Sequence, residues 1–81
     1  MSPKNDGFKD FILDQLTELN GMTARAMFGG YGLYQRAAFF GIIHKGRLYF
    51  KVSTTTVYEV PIDVIEDAEF LTQWAIEAAK G

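Results

Sequence analysis

Few residues of this 81-residue chain could take part directly in chemistry, and they lie far apart in the sequence. There is no cysteine and a single histidine, His44, which excludes thiolate nucleophiles and clusters of histidine ligands. A histidine that acts as a general base needs a nucleophile or an orienting carboxylate within hydrogen-bond reach. The sequence around His44, just before the Lys45-Gly46 pair, supplies neither. We therefore interpret His44 as an exposed turn residue, and we expect no catalytic residue, no cofactor and no enzymatic activity.

Three acidic residues near the C-terminus could together attract a hard cation. Asp63, Glu66 and Asp67 have a helical spacing, and carboxylate oxygens are the ligands that Ca²⁺ prefers. The sequence has no EF-hand pattern, however, and acidic residues at a helix start are usually solvated and interact with the helix dipole. We expect no metal site.

Basic residues are concentrated in the middle of the chain. Residues 21–56 contain five basic residues and no acidic one, whereas residues 57–81 contain six acidic residues and one lysine. Such a segment could bind an anionic partner, or it could be neutralised by the acidic C-terminal part within one chain or across a dimer. Arg25, Arg47 and Lys51 with Tyr49 could form a surface for single-stranded nucleic acid. The overall net charge of −2 and the lack of an RNA-recognition aromatic pattern argue against that use.

The composition indicates one compact domain that covers residues 1–81. Hydrophobic residues make up 48% and aromatic residues 15% of the chain, which argues against intrinsic disorder. The longest apolar run, Ala37 to Ile43, is far shorter than the roughly 20 residues that a membrane-spanning helix needs. The N-terminal residues lack the apolar stretch of a signal peptide. We expect a cytoplasmic protein that has no membrane association.

Periodicity predicts an α+β fold, an antiparallel sheet of four or more strands with an N-terminal and a C-terminal helix. The first helix is predicted over residues 8–19, with Asn5 or Asp6 as its N-cap. Its apolar stripe comprises Phe8, Phe11, Ile12, Leu16 and Leu19. The last is predicted over Asp67–Lys80, with Trp74 on its apolar, core-facing stripe. The four predicted strands lie near Ala24–Phe28, Tyr31–Gln35, Phe39–His44 and Arg47–Val52.

Hairpin geometry predicts a sheet that is apolar on both faces. A two-residue turn at Lys45-Gly46 would place Ile42 opposite Tyr49 and His44 opposite Arg47. A turn at Arg36-Ala37, which lacks Gly, Asn and Asp, would place Tyr34 opposite Phe39 and Gly32 opposite Gly41, both pairs on the core side. The second face would carry five apolar side chains, those of Tyr31, Leu33, Phe40, Ile42 and Tyr49. Burial of each stabilises the fold by about 1.5–3 kcal/mol, so we expect a helix, a second subunit or a ligand to cover this face. The candidate binding residues of this second face and its rim are Arg25, Tyr31, Leu33, Phe40, Ile42, Arg47, Tyr49 and Lys51.

A glycine-rich segment, Met27 to Tyr34, is the most unusual part of the sequence. Its three glycines in the span 29–32, flanked by aromatic residues, predict a bulge or tight bend where two backbone segments approach closely. A phosphate-binding loop is disfavoured, because both the Lys-Ser/Thr ending of a Walker motif and the GxGxxG spacing are absent.

Three blocks in this order resemble the N-terminal domain of the TfoX/Sxy bacterial competence regulators. They are TARAMFGGYGLY, FFGIIHKGRLYFKV and YEVPIDVIEDAEFLTQWAIEAAK, and the resemblance extends from Phe8 to the end of the chain. The residues that carry the family motif are Met27, Phe28, Gly29, Gly30, Tyr31, Gly32, Tyr34 and Trp74.

The resemblance implies an α+β fold, no catalytic residues and a role in transcription regulation of DNA-uptake genes through protein–protein contacts. Full-length regulators of this family act with the cAMP receptor protein. The expected partner is therefore a transcription factor, an RNA polymerase-associated regulator or a second copy of the chain, and direct nucleic-acid binding is the alternative. One departure is a further strand-bearing segment that the family has before the Tyr-x-Val-Pro stretch. We expect either a natural deletion or an omission from the sequence near residues 53–59.

Overall fold

The computed structural model describes residues 4–27, 29–53 and 55–80 as three helices and five strands. The five strands form one antiparallel sheet in the order β1-β2-β3-β4-β5, so each strand pairs with its neighbour in sequence. The predicted α+β class is confirmed. The elements are α1 (Lys4–Gln15), β1 (Met22–Met27), β2 (Gly30–Gln35), β3 (Ala38–His44), β4 (Arg47–Lys51), β5 (Val57–Glu59), α2 (Ile62–Ile65) and α3 (Ala68–Lys80).

The first helix begins and ends earlier than the sequence predicts. Asn5 and Asp6 lie inside α1, so the prediction that one of them caps the helix is wrong. After α1 the chain continues in turns, in which the Leu19 N–H donates to the Leu16 carbonyl at 3.0 Å. Leu16 and Leu19 are nevertheless buried, because the turns keep them on the side of the core. Phe11, predicted on the same stripe, is 42% exposed.

The last helix begins where the sequence predicts. Asp67 lies just before α3, and its Oδ1 accepts hydrogen bonds from the backbone N–H groups of Glu69 and Phe70, both at 3.1 Å. This is N-capping by a short acidic side chain, and it satisfies backbone donors that have no partner within the helix. The short helix α2 begins after Pro61 and was not predicted. None of the helices in the described part of the chain is long and apolar enough to cross a membrane.

One hydrophobic core lies between the sheet and the helices. It joins residues of α1, α2 and α3 to a single face of the sheet, which we call the inner face. The fully buried residues of this core include Ile12, Leu16, Leu33, Phe40, Ile43, Leu48 and Leu71.

The register between β2 and β3 departs from simple alternation. Tyr34 lies opposite Phe39 as predicted, but the register shifts before Tyr34 and places Leu33 opposite Gly41. Phe40 is therefore the extra residue of a β-bulge, in which two residues of one strand oppose one residue of the other. Gly32 lies opposite Ile42, so the predicted Gly32–Gly41 pair is wrong.

The bulge changes which residues reach the core. Leu33 and Phe40 are 0% exposed, and Tyr31 packs against the core cluster, with the Lys9 ammonium of α1 5.1 Å from its ring centroid. The prediction that Tyr31, Leu33 and Phe40 lie on a second apolar face is therefore wrong, because a shift of one residue moves side chains to the other face of a sheet.

Two further hairpins join β4 to its neighbours β3 and β5. The β3–β4 register confirms the predicted pairs of Ile42 with Tyr49 and of His44 with Arg47. In the β4–β5 turn, the N–H groups of Val52 and Ser53 donate to the Thr56 carbonyl at 2.9 and 3.3 Å. The deletion or omission expected near residues 53–59 stays a prediction.

Candidate interaction surface on the sheet

The face of the sheet that points away from the helices carries a row of residues that crosses all five strands. Arg25, Gly32, Ile42, Tyr49 and Glu59 are consecutive partners in the four strand pairings. Ile42 and Tyr49 are partly buried, yet neither belongs to the residues that pack against the core. Side chains alternate between the two faces along each strand. The residues of this face, which we call the outer face, include Arg25, Gly32, Tyr34, Phe39, Ile42, Arg47, Tyr49, Lys51, Val57 and Glu59.

Aromatic contacts connect several side chains in one part of the outer face. Tyr34 and Phe39 pack edge to face, with ring centroids 5.6 Å apart and an interplanar angle of 63°. The Arg25 guanidinium lies 5.7 Å from the centroid of the Tyr34 ring, a cation–π distance. The Tyr34 ring and the Met27 methyl group also lie over Gly32, at 3.2 and 3.3 Å from the position that a Cβ would occupy. Tyr34 and Phe39 were not among the predicted binding residues, since the predicted register placed both on the core side.

The outer face has an excess of positive charge. Arg47 pairs with Glu59 at 3.5 Å, and because both side chains are well exposed, this pair contributes only about 0–1 kcal/mol. Within the described residues, Arg25 and Lys51 form no ion pair with a carboxylate. Among the residues that the structure describes, the Arg47–Glu59 pair is therefore the ion pair that neutralises part of the basic segment, one of the alternatives that the sequence left open. Five of the eight predicted binding residues lie on this face: Arg25, Ile42, Arg47, Tyr49 and Lys51.

His44 is the last residue of β3 and lies opposite Arg47. It is partly buried, and its ring Cε1 lies 2.9 Å from the position that a Cβ on Gly29 would occupy. The prediction of an exposed turn residue is therefore wrong, since the imidazole packs over the glycine. In the described parts of the chain, no group of three or more His, Asp or Glu side chains is placed to hold a metal ion.

The glycine-rich motif builds the β1–β2 hairpin. Gly29 has φ +71°, a left-handed conformation that costs residues with a Cβ about 1–2 kcal/mol. At Gly30, a Cβ would come within 1.8 Å of the Ile43 carbonyl oxygen, so β2 can approach β3 only with a glycine there. The predicted tight bend with close backbone approach is confirmed, while the neighbouring motif residue Phe28 lies outside the described residues.

A second apolar surface lies where β5 meets α3. It is a groove of about 610 Å³, in which the rings of Tyr58 and Trp74 have centroids 6.3 Å apart. Trp74 is only partly buried, so its predicted place in the core is corrected to the core's edge. The groove was not predicted from the sequence, because residues 57–59 were not predicted to form a strand. The groove is lined by Phe50, Lys51, Val52, Tyr58, Trp74, Glu77 and Ala78.

Comparison with known proteins identifies one family. Neither the curated proteins nor the solved structures include a significant match to the chain. The family model described as the TfoX N-terminal domain matches residues 14–57, more than half of the chain. This stretch runs from the end of α1 to the first residue of β5 and contains the glycine-rich motif and most of the outer face. The protein therefore belongs to the TfoX N-terminal domain family.

Proposed function

We propose that this domain is a non-enzymatic regulator of transcription in bacterial competence for DNA uptake, and that it acts by binding a protein partner through the outer face. The observation that carries the proposal is the outer face itself. Ile42 and Tyr49 lie at its centre without packing against the core, while the buried residues that the structure describes in the helices pack against the inner face.

The centre of the outer face has the composition of a protein-binding site. Tyr34, Phe39, Ile42 and Tyr49 are contributed by three adjacent strands. Aromatic residues are enriched in the cores of protein interfaces, where they bury a large area at a low cost in conformational entropy. The Tyr34–Phe39 contact holds two of these rings in place before a partner binds, which reduces the entropy that binding has to overcome.

The charged rim indicates the chemistry of the partner. Arg25 and Lys51 make no ion pair within the described residues, and Arg25 is held beside the Tyr34 ring. Positive groups around an apolar centre complement a partner whose apolar patch is surrounded by carboxylates. We therefore expect an acidic protein surface, such as one on a transcription factor or an RNA polymerase-associated regulator.

The test is a binding titration with purified cAMP receptor protein and purified RNA polymerase as the two probes. We expect the native chain to bind one of them, and the Ile42→Ala/Tyr49→Ala double variant to bind it at least about tenfold more weakly, as for central interface residues. The control variant is Phe11→Ala, which removes an exposed aromatic side chain from α1 and should bind like the native chain. Native affinity in the double variant would contradict the proposal, as would the absence of binding by the native chain to both probes.

Direct nucleic-acid binding is the second candidate, and the placement of the Arg25 guanidinium beside the Tyr34 ring favours it. Bases stack on aromatic rings while basic side chains contact the phosphates. A gel shift with single-stranded DNA of about 20 nucleotides at about 50 mM salt distinguishes the two candidates. We expect no shift. A shift that disappears as salt rises, and that Arg25→Ala abolishes, would favour the second candidate over the first.

A further inference from the structure

The backbone of β5 has an open edge. The Val52 N–H donates to the Thr56 carbonyl and the Val60 N–H to the Leu48 carbonyl, and Tyr58 lies opposite Phe50 in the same register. In an antiparallel pair, hydrogen-bonded residues alternate with residues whose N–H and C=O groups point the other way. The N–H and C=O groups of Val57 and Glu59 therefore point away from β4, and no strand in the described part of the chain lies beyond them.

Apolar side chains accumulate beside this open edge. Tyr58 is 53% exposed and Val52 is 60% exposed, and both line the groove with Trp74. Phe70, one helical turn before Trp74 on α3, is 54% exposed and extends the apolar surface along the helix. An exposed strand edge next to an apolar groove is a site where another strand can add to the sheet.

We propose that a second copy of this chain pairs with β5, strand to antiparallel strand, around a two-fold axis at Tyr58. This inference does not depend on the proposed function. With the axis there, Val57 lies opposite Glu59 of the second copy and Glu59 opposite Val57 of the second copy. These are the two residues whose backbone groups point to the open edge, so four hydrogen bonds form and the edge is satisfied in both copies. The interface is self-complementary, as a two-fold interface must be.

The side chains at and beside β5 are also compatible with this pairing of two β5 strands. The two Tyr58 residues become a non-hydrogen-bonded pair, the arrangement in which facing side chains are closest, and aromatic cross-strand pairs stabilise sheets. Because Tyr58 faces the groove beside Trp74, each tyrosine of the pair covers part of the groove of the other copy. Glu77 at the rim of the groove is paired with Lys80 at 3.4 Å, so the groove does not bring two unpaired carboxylates together.

The distribution of charge favours dimerisation through β5 over dimerisation through β1, the strand at the other edge of the sheet. On the outer face, Glu59 of one copy would be followed by Val57 and then Lys51 of the second copy, since Lys51 pairs with Val57 in β4 and β5. Lys51 of the second copy thus lies two strand spacings, about 9–10 Å, from Glu59, and no two like charges face each other directly across the two β5 strands. At the opposite edge, two β1 strands paired around a two-fold axis at Arg25, near the middle of β1, would place two arginines side by side, which is destabilising.

The matched pair of variants that tests the proposal is Val57→Pro and Val57→Thr. Proline removes the N–H of Val57, which points away from β4 and would donate to the carbonyl of Glu59 of the second copy, and proline is tolerated in edge strands. Threonine keeps the N–H and favours strands. In sedimentation from about 10 μM to about 1 mM, a range that includes weak dimers, we expect the native chain and Val57→Thr to shift from monomer to dimer. We expect Val57→Pro to stay monomeric.

Amide hydrogen exchange of the native chain provides a second measurement that does not depend on a variant folding. We expect the amides of Val57 and Glu59 to exchange more slowly as the protein concentration rises, while the amides of β1 exchange at a constant rate. A native chain that remains monomeric up to about 1 mM, a folded Val57→Pro variant that still dimerises, or exchange at Val57 and Glu59 that does not depend on concentration would each overturn the proposal.

Discussion

Phe40 packs edge-on against Phe50, with ring centroids 5.6 Å apart and an interplanar angle of 64°, although strict alternation would place the two rings on opposite faces of the sheet. Phe50 lies opposite Gly41, and the bulge turns Phe40 to the same side as Gly41. A Cβ on Gly41 would lie 2.9 Å from the Phe50 ring, so the glycine leaves the space that the Phe50 ring occupies. The contact closes the core and leaves Phe39 on the outer face.

The variant Phe40→Ala should lower the free energy of unfolding by about 3–5 kcal/mol, the usual cost of removing a fully buried aromatic side chain. The control is the adjacent Phe39→Ala, which removes the same group from the outer face. There we expect a loss of about 0.5–1.5 kcal/mol, mostly from the aromatic contact with Tyr34. Urea unfolding followed by circular dichroism measures both values. Equal losses would mean that the bulge does not place Phe40 in the core.

The variant Ala37→Gly should stabilise the protein. Ala37 has φ +75° in the β2–β3 turn, and a left-handed conformation costs a residue with a Cβ about 1–2 kcal/mol. We expect a gain of about 1 kcal/mol, since the added flexibility of glycine in the unfolded chain offsets part of the relief. Gly46 provides the reverse experiment, because its φ is +74° and nothing lies within 4 Å of a Cβ there. Gly46→Ala should therefore lose a similar amount, and a change of the same sign in both variants would refute this account.

The variant Gly30→Ala should disrupt the sheet at the β2–β3 pairing. A Cβ would come within 1.8 Å of the Ile43 carbonyl oxygen, and relief of such a clash requires a movement of the backbone. We expect a loss of more than about 3 kcal/mol, at the upper end of the range for single substitutions. In Gly7→Ala, the added methyl group on α1 has open space and should stabilise the helix by up to about 1 kcal/mol. Thermal unfolding measures both, and a Gly30→Ala variant as stable as the native chain would contradict the close approach.

The variant Asp67→Ala should lose the N-cap of α3, at a cost of about 0.5–2 kcal/mol. Asp67→Asn keeps an oxygen that can accept the hydrogen bonds from Glu69 and Phe70, so it should retain most of the stability. The two variants compared by urea unfolding separate the hydrogen bonds from the charge. If asparagine lost as much as alanine, the interaction of the carboxylate with the helix dipole would be the main contribution.

The features that could be predicted from the sequence are those with a local cause. The Lys45-Gly46 turn determines the β3–β4 register, because a two-residue turn with positive φ at both positions leaves one way to pair the strands. Asp67 determines the start of α3, since its short side chain reaches the free N–H groups of the next residues. The glycines of the β1–β2 hairpin likewise indicate, from the sequence alone, that two backbone segments approach each other closely.

The sequence by itself determined the fold class, the family and the two hairpins that these local signals define. Only the tertiary structure decided which face of the sheet each apolar residue occupies. No turn residue near Phe40 indicates the bulge in the sequence, and only the structure shows that the bulge places the Phe40 ring in the core beside Phe50. Trp74 is a second example. The apolar stripe of α3 predicts that Trp74 lies in the core, but in the structure it lies in the groove beside Tyr58. Hydrophobic periodicity shows which residues share one side of a helix or strand. Whether that side is buried depends on which other parts of the chain pack against it.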